Sequence, residues 1–169
     1  MAKVAFGLEK IEKGNIDPVT GLPTGLLDVG DIYRDTASME TADGETTDHY
    51  AELKQSPVIT ITEMGTQTLR FQLMDTSAAK LLEYMGGTVT EVAGEPDVWN
   101  APRDIVAIEK AFVITTKDGT VFTIHRGKVV GKLIVNPTRK DVSLLDVMIR
   151  VLNPNVDALA PITVADPAV

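Results

Sequence analysis

The chain has 169 residues, of which 44% are hydrophobic and 24% charged, and this composition is typical of one globular domain rather than a disordered chain. Its net charge of −8 argues against a domain that grips nucleic-acid phosphates. The absence of cysteine excludes disulfides, thiolate metal sites and cysteine nucleophiles, and with His49 and His125 as the two histidines we expect no multi-histidine metal site.

The first third of the chain alternates between turn-forming and extended segments. Residues 14–25 contain two prolines and three glycines and predict a loop or arm, and residues 26–35 predict a strand with one solvated face. Residues 36–49 are acidic and poor in large apolar side chains, so they predict either a mobile loop or a long hairpin with Asp43-Gly44 at its tip. Loops of that length in compact domains are usually functional or disordered.

The middle of the chain has the clearest periodicity. Residues 57–64 and 66–74 each alternate apolar and polar side chains around Gly65, which predicts a hairpin with one apolar face. Residues 75–87 predict the one helix, because an apolar stripe follows three possible N-cap residues and Gly86 stands at the C-terminal cap.

The last part predicts short strands and an exposed tail. Strands are predicted at residues 88–92, 105–116, 121–125, 129–135 and 145–152, with a turn at Asp118-Gly119 and a bulge at Gly131. Residues 158–169 contain Pro161 and Pro167 and predict an arm. Together these elements predict a mainly β fold, either a β-sandwich or a partly closed β-barrel, with one short helix. The edge strands of its sheets must be covered, for example by another chain. We expect a single domain over residues 1–169, with a long acidic loop at about 36–52 and a C-terminal arm at about 155–169.

Apolar runs are too short for a signal peptide or a membrane span, so we expect a protein of the cytosol or one assembled there. Asp28, Asp31 and Asp35 lie close together but do not match a calcium-binding loop. His125 has no nucleophilic serine in a recognisable elbow motif. Trp99 either closes the core or anchors an interface. These features argue mostly against an enzyme.

Charge is segregated along the chain. Residues 14–53 contain nine acidic residues and one basic residue, whereas residues 105–140 contain seven basic and two acidic residues. If the two segments meet between subunits, they steer head-to-tail association and set its register. If both are solvated surfaces, they only keep the protein soluble, and the residues alone leave both interpretations open.

The order of these elements resembles the tail tube proteins (major tail proteins) of long-tailed bacteriophages, which are similar to the inner tube proteins of contractile injection and type VI secretion systems. The resemblance covers residues 3–154 and is one of element order, without a short diagnostic motif. The stretches that show it are KVAFGLEKIEKGNID, GLLDVGDIYRDTASMETADGET, PVITITEMGTQTLRFQLMD, AAKLLEYMGGTV, AFVITTKDGTVFTIHRGKVVGKLIV and LDVMIRVLNP.

The resemblance implies a structural virion protein, without catalysis or cofactor, that self-assembles into hexameric rings stacked into a tube for DNA delivery. It implies as partners the protein itself, the tape measure, terminator and baseplate or tip proteins, and viral DNA that passes through the lumen without specific binding, and no membrane. It places the protein in the virion tail, assembled in the host cytoplasm. The alternative is a ligand- or carbohydrate-binding β-sandwich module that uses Trp99. A hydrolase that uses Asp28 and Asp31 has the least support.

The resemblance and the charge pattern together predict that the acidic loop contacts the basic segment of a subunit in a neighbouring ring. The predicted interface residues are Asp35, Glu40, Asp43, Glu45, Asp48, Arg126, Lys128, Lys132, Arg139 and Lys140.

Overall fold

The computed structural model describes residues 4–167, so Lys3 of the resemblance and the last two residues of the predicted arm lie outside the described range. The elements in chain order are β1 (Leu8–Ile16), β2 (Pro23–Asp28), β3 (Ser38–Thr41), β4 (Glu45–His49), β5 (Ile59–Glu63), β6 (Gln67–Leu73), α1 (Ala78–Met85), β7 (Thr88–Thr90), β8 (Val98–Asn100), β9 (Ile108–Thr116), β10 (Val121–Ile134), β11 (Leu144–Val151) and β12 (Ile162–Ala165). Strands account for 48% of the residues and helix for 5%, which confirms the mainly β prediction.

Eight strands form one antiparallel sheet in the order β2-β1-β9-β10-β11-β6-β3, with β12 paired to the first part of β10. The sheet curls over its own apolar face, because Phe71 of β6 and Phe112 of β9 meet edge to face with ring centroids 6.5 Å apart although two strands separate them in the sheet. This architecture is consistent with the predicted β-sandwich. The core is built from alternate residues of each strand: Ile11, Leu69, Phe71, Leu73, Phe112, Ile124, Leu145, Val147 and Ile149.

The curled sheet has two distinct ends. Leu73 pairs with Leu145, and Ile134 pairs with Leu144, so the end of β6, the end of β10 and the start of β11 lie together. The helix α1 begins shortly after Leu73, and we call this the helix end. Thr41 pairs with Gln67 where β3 ends and β6 begins, at the opposite end, which we call the ribbon end.

Helix α1 confirms the prediction of one short helix that ends at Gly86. Gly86 has a φ of 77°, which a residue with a side chain rarely adopts, and its N–H donates to the carbonyl of Leu82. Leu81 and Tyr84 are buried against the sheet. A Cβ on Gly131 would lie 2.7 Å from the Tyr84 carbonyl oxygen, so this glycine allows the helix to approach β10. The predicted bulge at Gly131 is wrong, because the register shift in β10 falls between Ile124 and Gly127.

The predicted hairpins in the first half of the chain are also wrong in their pairing. The segments on either side of Gly65, β5 and β6, do not pair with each other: β5 pairs with β4 and β6 pairs with β3. Residues 38–49 and 59–73 therefore form one long antiparallel pair whose tip is at residues 50–58 rather than at Asp43-Gly44. Alternation specifies which face a strand residue occupies, but it does not specify the partner strand.

Three further segments differ from the prediction. The stretch predicted as two strands around residues 121–135 is the continuous 14-residue strand β10. The predicted C-terminal arm contributes β12, which pairs with β10 from Val121 to Ile124. The strand expected at residues 26–35 ends at Asp28, after which Val29 is fully buried and donates its N–H to the carbonyl of Ile11.

Among residues 4–167, no helix has the length and hydropathy needed to cross a membrane.

Candidate functional site

The ribbon formed by β4 and β5 extends beyond the sandwich from its ribbon end. Every residue of β4 and β5 is exposed, in contrast to β6, where alternate residues are buried. Side chains that are directly opposite share a face, so the register divides the ribbon into two faces. The ribbon is therefore held by backbone pairing and cross-strand contacts rather than by the core.

One face of the ribbon is polar and internally bonded. The hydroxyl of Thr60 donates to the Asp48 carboxylate at 2.7 Å, and Thr46 and Thr62 lie 3.4 Å apart, oxygen to oxygen. The other face holds Ile59 and Ile61, which are 57% and 50% exposed. Exposed isoleucines on a protruding ribbon are unusual for a subunit that stays alone in water, since the ribbon itself cannot bury them.

Two glutamates lie opposite each other on the isoleucine face. Glu45 pairs with Glu63 in the register, and both side chains are exposed. Among residues 4–167 neither carboxylate has an ion pair. Like charges that are directly opposite in an antiparallel pair repel, so this position favours a cation from outside the ribbon.

The ribbon joins the sandwich through a tight backbone contact. Ala42 donates its N–H to the carbonyl of Thr66 at 2.9 Å. A Cβ on Gly65 would lie 1.6 Å from the Ala42 carbonyl oxygen, and one on Gly44 would lie 2.5 Å from that of Glu63. Both glycines are therefore required by the close approach of the two strands at this joint, and they set the direction in which the ribbon leaves the sandwich.

The basic residues of the predicted interface lie mostly toward the helix end. Lys128 and Lys132 are exposed on β10, and Arg139 and Lys140 are exposed in the connection from β10 to β11. That connection is at the helix end because Ile134 pairs with Leu144. Lys132, Arg139 and Lys140 therefore lie toward the end opposite to Asp43, Glu45 and Asp48. Lys128 does not, because it pairs with Arg150, which pairs with Thr68 near the ribbon end.

Arg126 has a different environment from the other basic residues. Its guanidinium donates two hydrogen bonds to the Glu109 carboxylate, at 2.8 and 2.9 Å, and two more to the Asn153 carbonyl and the Asn155 side chain. The Arg126 hydrogen bonds lower the pKa of Glu109, and the same contact raises that of Arg126. Arg126 therefore connects β9 to the segment that follows β11 within the subunit.

The acidic residues of the predicted interface also divide into two groups. Asp43, Glu45 and Asp48 belong to the ribbon or its joint, whereas Glu40 lies on β3 inside the main sheet. Asp35 precedes β3, toward the helix end, with a φ of 60° and an exposed contact of 3.7 Å to Arg34.

The other candidate residues have local structural partners. Asp28 accepts a hydrogen bond from the Gly30 N–H at 2.7 Å, and no cluster of metal-ligating side chains occurs within residues 4–167. Trp99 is partly buried against the core and donates its indole N–H to the Gly86 carbonyl at 2.9 Å. His125 is buried in the β10 bulge, and its Nδ1 has no hydrogen-bond partner among the described atoms. Trp99 thus packs on the core and is held there by a hydrogen bond within the subunit, as expected of a residue that closes the core.

A groove beside α1 was not anticipated from the sequence. It lies where β9 begins at Ile108 opposite Val129 while β10 continues to Ile134. The predicted strand began at residue 105, which concealed that Ile105 and Val106 precede β9 and are exposed. The run of two β-branched residues after Asp104 was the available signal, but it is equally typical of the start of a buried strand.

Two comparisons bear on what these features belong to. No curated protein matches the chain at significant similarity. A family model described as phage tail tube protein matches residues 13–168, which is most of the chain. The mainly β sandwich and the single short helix agree with the fold expected from the sequence, whereas the segment expected as a long acidic loop is part of a paired, protruding ribbon. The chain belongs to the phage tail tube protein family.

Proposed function

We propose that this protein assembles into hexameric rings that stack head to tail into the tail tube, through which viral DNA leaves the head. The observation that supports this most directly is the polarity of the subunit: an acidic ribbon extends from one end, and exposed basic residues lie toward the other. The protein acts by assembly and not by catalysis.

Head-to-tail stacking follows from this polarity. When identical subunits repeat along one axis, the ribbon end of one copy faces the helix end of the next. The acids Asp43, Glu45 and Asp48 then approach the bases Lys132, Arg139 and Lys140 of another copy. Opposite charges at such a contact raise the association rate and disfavour head-to-head pairing, in which like charges would meet.

Ring closure is supported by the edges of the main sheet. β2 and β3 are the terminal strands of the eight-stranded sheet, and β12 pairs on one side only, with β10. Open edges invite pairing with another chain, and a closed ring covers them by edge-to-edge contact. The net charge of −8 suits a lumen that repels DNA phosphates, so that the genome slides without binding.

The proposed partners follow from this role. Besides other copies of itself, the tube contacts tape measure, terminator and baseplate or tip proteins, and no membrane. Tubes form in the host cytoplasm and remain in the virion tail. Electron microscopy of purified protein over a range of concentrations tests the assembly itself, and we expect rings or tubes; a subunit that stays monomeric with the other tail proteins present would contradict the proposal.

The charge pairing has a separate test. Asp43→Lys with Glu45→Lys should strongly reduce tube formation and leave the subunit folded, and Arg139→Glu with Lys140→Glu in the same chain should partly restore it. The matched control is Glu95→Lys with Asp97→Lys, which makes the same change of net charge at the same spacing in an exposed loop. Tubes that form at the unmodified rate in the ribbon variant would show that the pairing is wrong.

A further inference from the structure

The last part of β10 has an open edge. β9 pairs with β10 only as far as Val129, and the five residues 130–134, which we call the β10 extension, pair with β11 alone. The Leu152 N–H donates to the Arg126 carbonyl in the same register, so even-numbered residues of this part of β10 bond to β11. The N–H and C=O groups of Gly131 and Leu133 therefore point away from β11, and within residues 4–167 they have no strand partner.

The strand β3 has a second open edge. It is a terminal strand of the sheet and pairs with β6 alone. The Ala42 N–H donates to the Thr66 carbonyl in continuation of this register, so even-numbered residues of β3 bond to β6. The N–H and C=O groups of Met39 and Thr41 consequently face outward. The four strands β10-β11-β6-β3 thus form a sheet with unpaired backbone groups on both sides.

The two edges match in direction and length. Three successive antiparallel pairings separate β3 from β10, so the two strands run in opposite directions. Copies related by rotation within a ring can therefore place β3 of one copy antiparallel to the β10 extension of the next. β3 contains four residues and the extension contains five.

We infer that β3 of one copy pairs with the β10 extension of its neighbour in the same ring, in the register that places Met39 opposite Leu133 and Glu40 opposite Lys132. This inference rests on the proposed ring closure, and it specifies which edge covers which. It assigns Lys132 to the contact within a ring and leaves Arg139 and Lys140 to the contact between rings.

The register follows from the two faces of the sheet. Met39 and Leu133 pack against the core, whereas Glu40 and Lys132 are exposed on the opposite face. A joined sheet must keep its core-facing side chains on one side, which excludes every register shifted by one residue. Only one of the remaining registers pairs all four residues of β3 within the five residues of the extension, and it brings the open backbone groups of Met39 and Leu133 together.

This register also joins opposite charges. Neither Glu40 nor Lys132 has an ion pair within residues 4–167. Opposite charges directly across an antiparallel pair stabilise it, and like charges destabilise it. The contact therefore gives a role to the one acidic residue of the predicted interface that lies on β3.

The offset between copies suits a closed ring. Within one copy the register places Ser38 level with Val130, whereas in the proposed contact Ser38 lies opposite Ile134, four residues further along β10. Four residues rise roughly 14 Å and four strands span roughly 19 Å, which corresponds to a strand tilt of about 35°. Closed sheets have tilts of roughly 35–45°, so this stagger is the one that closure requires.

Apolar surface borders both edges. Ile105, just before β9, is 95% exposed, and Val106 lies against Gly86 at the end of α1 instead of continuing β9 along the extension. Beside β3 an apolar opening of about 510 Å³ is lined by residues that include Leu8 and Met39. A neighbour that pairs along these edges covers apolar groups that the single subunit leaves in water.

Disulfide trapping tests the register, because the chain contains no cysteine. In tubes of Glu40→Cys with Lys132→Cys, oxidation should produce intermolecular disulfides, since residues directly opposite in such a pair have Cα atoms within disulfide range. The ladder on non-reducing gels should stop at the number of subunits in one ring. The control, Glu40→Cys with Val130→Cys, is shifted by two residues on the same face and should cross-link poorly. Tubes that do not cross-link through the first pair, or a ladder that continues past the ring number, would overturn the inference.

Exchange of the two charges tests the same pair without cysteine. Glu40→Lys and Lys132→Glu should each raise the protein concentration needed for assembly several-fold, because each places like charges across the contact. The two changes in one chain should restore assembly. Glu95→Lys, in an exposed loop, is the control for the change of net charge and should assemble normally. A double variant that assembles no better than the single variants would overturn the proposed register.

Amide hydrogen exchange identifies the edge that covers β3. In tubes the amides of Met39, Thr41, Gly131 and Leu133 should all exchange more slowly than in the free subunit. Protection of Met39 and Thr41 without protection of Gly131 and Leu133 would show that another edge, such as β2, covers β3, and would contradict the inference.

The outcomes separate the two proposals. If the unmodified protein forms neither rings nor tubes with the other tail proteins present, the proposed function fails. If it forms tubes in which Glu40→Cys and Lys132→Cys do not cross-link and Gly131 and Leu133 stay unprotected, the inference fails and the proposed function stands.

Discussion

At the scale of single residues, the buried charge of Lys13 shows how the helix is fastened to the sheet. The Lys13 side chain is 7% exposed, its ammonium contacts the Glu83 carboxylate, and it lies 5.0 Å from the centre of the Tyr84 ring. Burial lowers the pKa of Lys13, and Glu83 opposes that shift. Glu83 also has Lys80 at 3.8 Å, so the carboxylate keeps a cation if Lys13 is removed, whereas Lys13 has no second carboxylate within ion-pair distance among the described residues.

This asymmetry makes a prediction about stability. Glu83→Gln leaves a buried ammonium without its counter-ion and should lower the free energy of unfolding by about 2 kcal/mol, below the range for fully buried pairs because Glu83 is partly exposed. Lys13→Met replaces the ammonium by an apolar group of similar length and should change stability by less than about 1 kcal/mol. Urea unfolding measures both. Equal losses in the two variants would mean that the ion pair, rather than the uncompensated charge, determines stability.

The environments of Tyr84 and Arg126 are likewise typical of structural rather than catalytic residues. The Tyr84 hydroxyl is buried, and this burial, with smaller effects of Glu83 and Asp28, raises the pKa of Tyr84. The hydroxyl therefore stays protonated at any physiological pH. The Arg126 guanidinium donates four hydrogen bonds inside the subunit, so Arg126 is a weaker candidate for the interface than Lys132, Arg139 or Lys140.

At the scale of elements, the joint between the ribbon and the sandwich determines where the ribbon points. β3 and β6 belong to the main sheet, whereas β4 and β5 form a separate two-stranded sheet, and Gly44 and Gly65 lie between the two pairs. Because these glycines have no side chain, the two strands approach closely enough for the Ala42 N–H to donate to the Thr66 carbonyl. The ribbon is outside the core, so its direction is independent of the stability of the sandwich.

A substitution at the joint should separate folding from assembly. Gly65→Ala places a Cβ where the Ala42 carbonyl oxygen lies, which forces the ribbon chains apart. We expect faster amide hydrogen exchange at Ala42 and impaired tube formation, with a melting temperature within a few degrees of the unmodified protein. Gly94→Ala is the control: a Cβ there meets no atom within 4 Å, and the φ of 86° costs about 1–2 kcal/mol of stability without moving the ribbon, so this variant should still assemble. Unimpaired assembly of Gly65→Ala would show that the joint tolerates a change of direction.

At the scale of the whole molecule, contacts between charged residues and contacts between apolar residues respond differently to salt. The contacts proposed between the acids of the ribbon and the basic residues of another copy lie at a surface, where salt screens them. The exposed ribbon side chains Ile59 and Ile61 are apolar, and salt does not weaken a contact that buries them. A tube that depends on both kinds of contact should therefore assemble less readily at high salt but should not dissociate completely.

This gives a prediction for assembly as a function of ionic strength. The protein concentration needed for tube formation should rise several-fold between about 0.05 and 0.5 M NaCl, because the screening length falls well below the separation of surface charges. In Asp43→Asn with Glu45→Gln the dependence should be weaker, since two of the charges that salt screens are gone. Light scattering across a salt series measures both. An unmodified protein that assembles independently of salt would contradict a role for these charges.

Much of the architecture follows from local patterns. The helix at residues 78–85 was predictable because its apolar stripe, its cap and its length are all encoded within a dozen residues. The strand at residues 144–151 was predictable for the same reason, since alternation needs no knowledge of the partner. Composition and charge segregation likewise predicted a domain of this class and two oppositely charged segments.

Strand partners required the tertiary structure. Asp43-Gly44 and Gly65 are both good turn signals, yet neither is a turn between paired strands, because each lies at the joint of a longer ribbon. Pairing β3 with β6 buries Met39 and Leu69 against the core, a gain that a local hairpin at either glycine does not offer. Similarly, residues near the C-terminus form β12 only because β10 presents an edge that sequence cannot reveal.

The sequence by itself determined the mainly β class, the single helix, the segregation of charge and the resemblance to tail tube proteins, because these depend on composition and on neighbours along the chain. Only the tertiary structure decided that the acidic strands leave one end of the sandwich while most of the predicted basic residues lie toward the other, that Arg126 is engaged within the subunit, and that a groove opens beside α1. The reason is physical: direction, burial and pairing depend on contacts between residues far apart in the chain, and no local pattern specifies them.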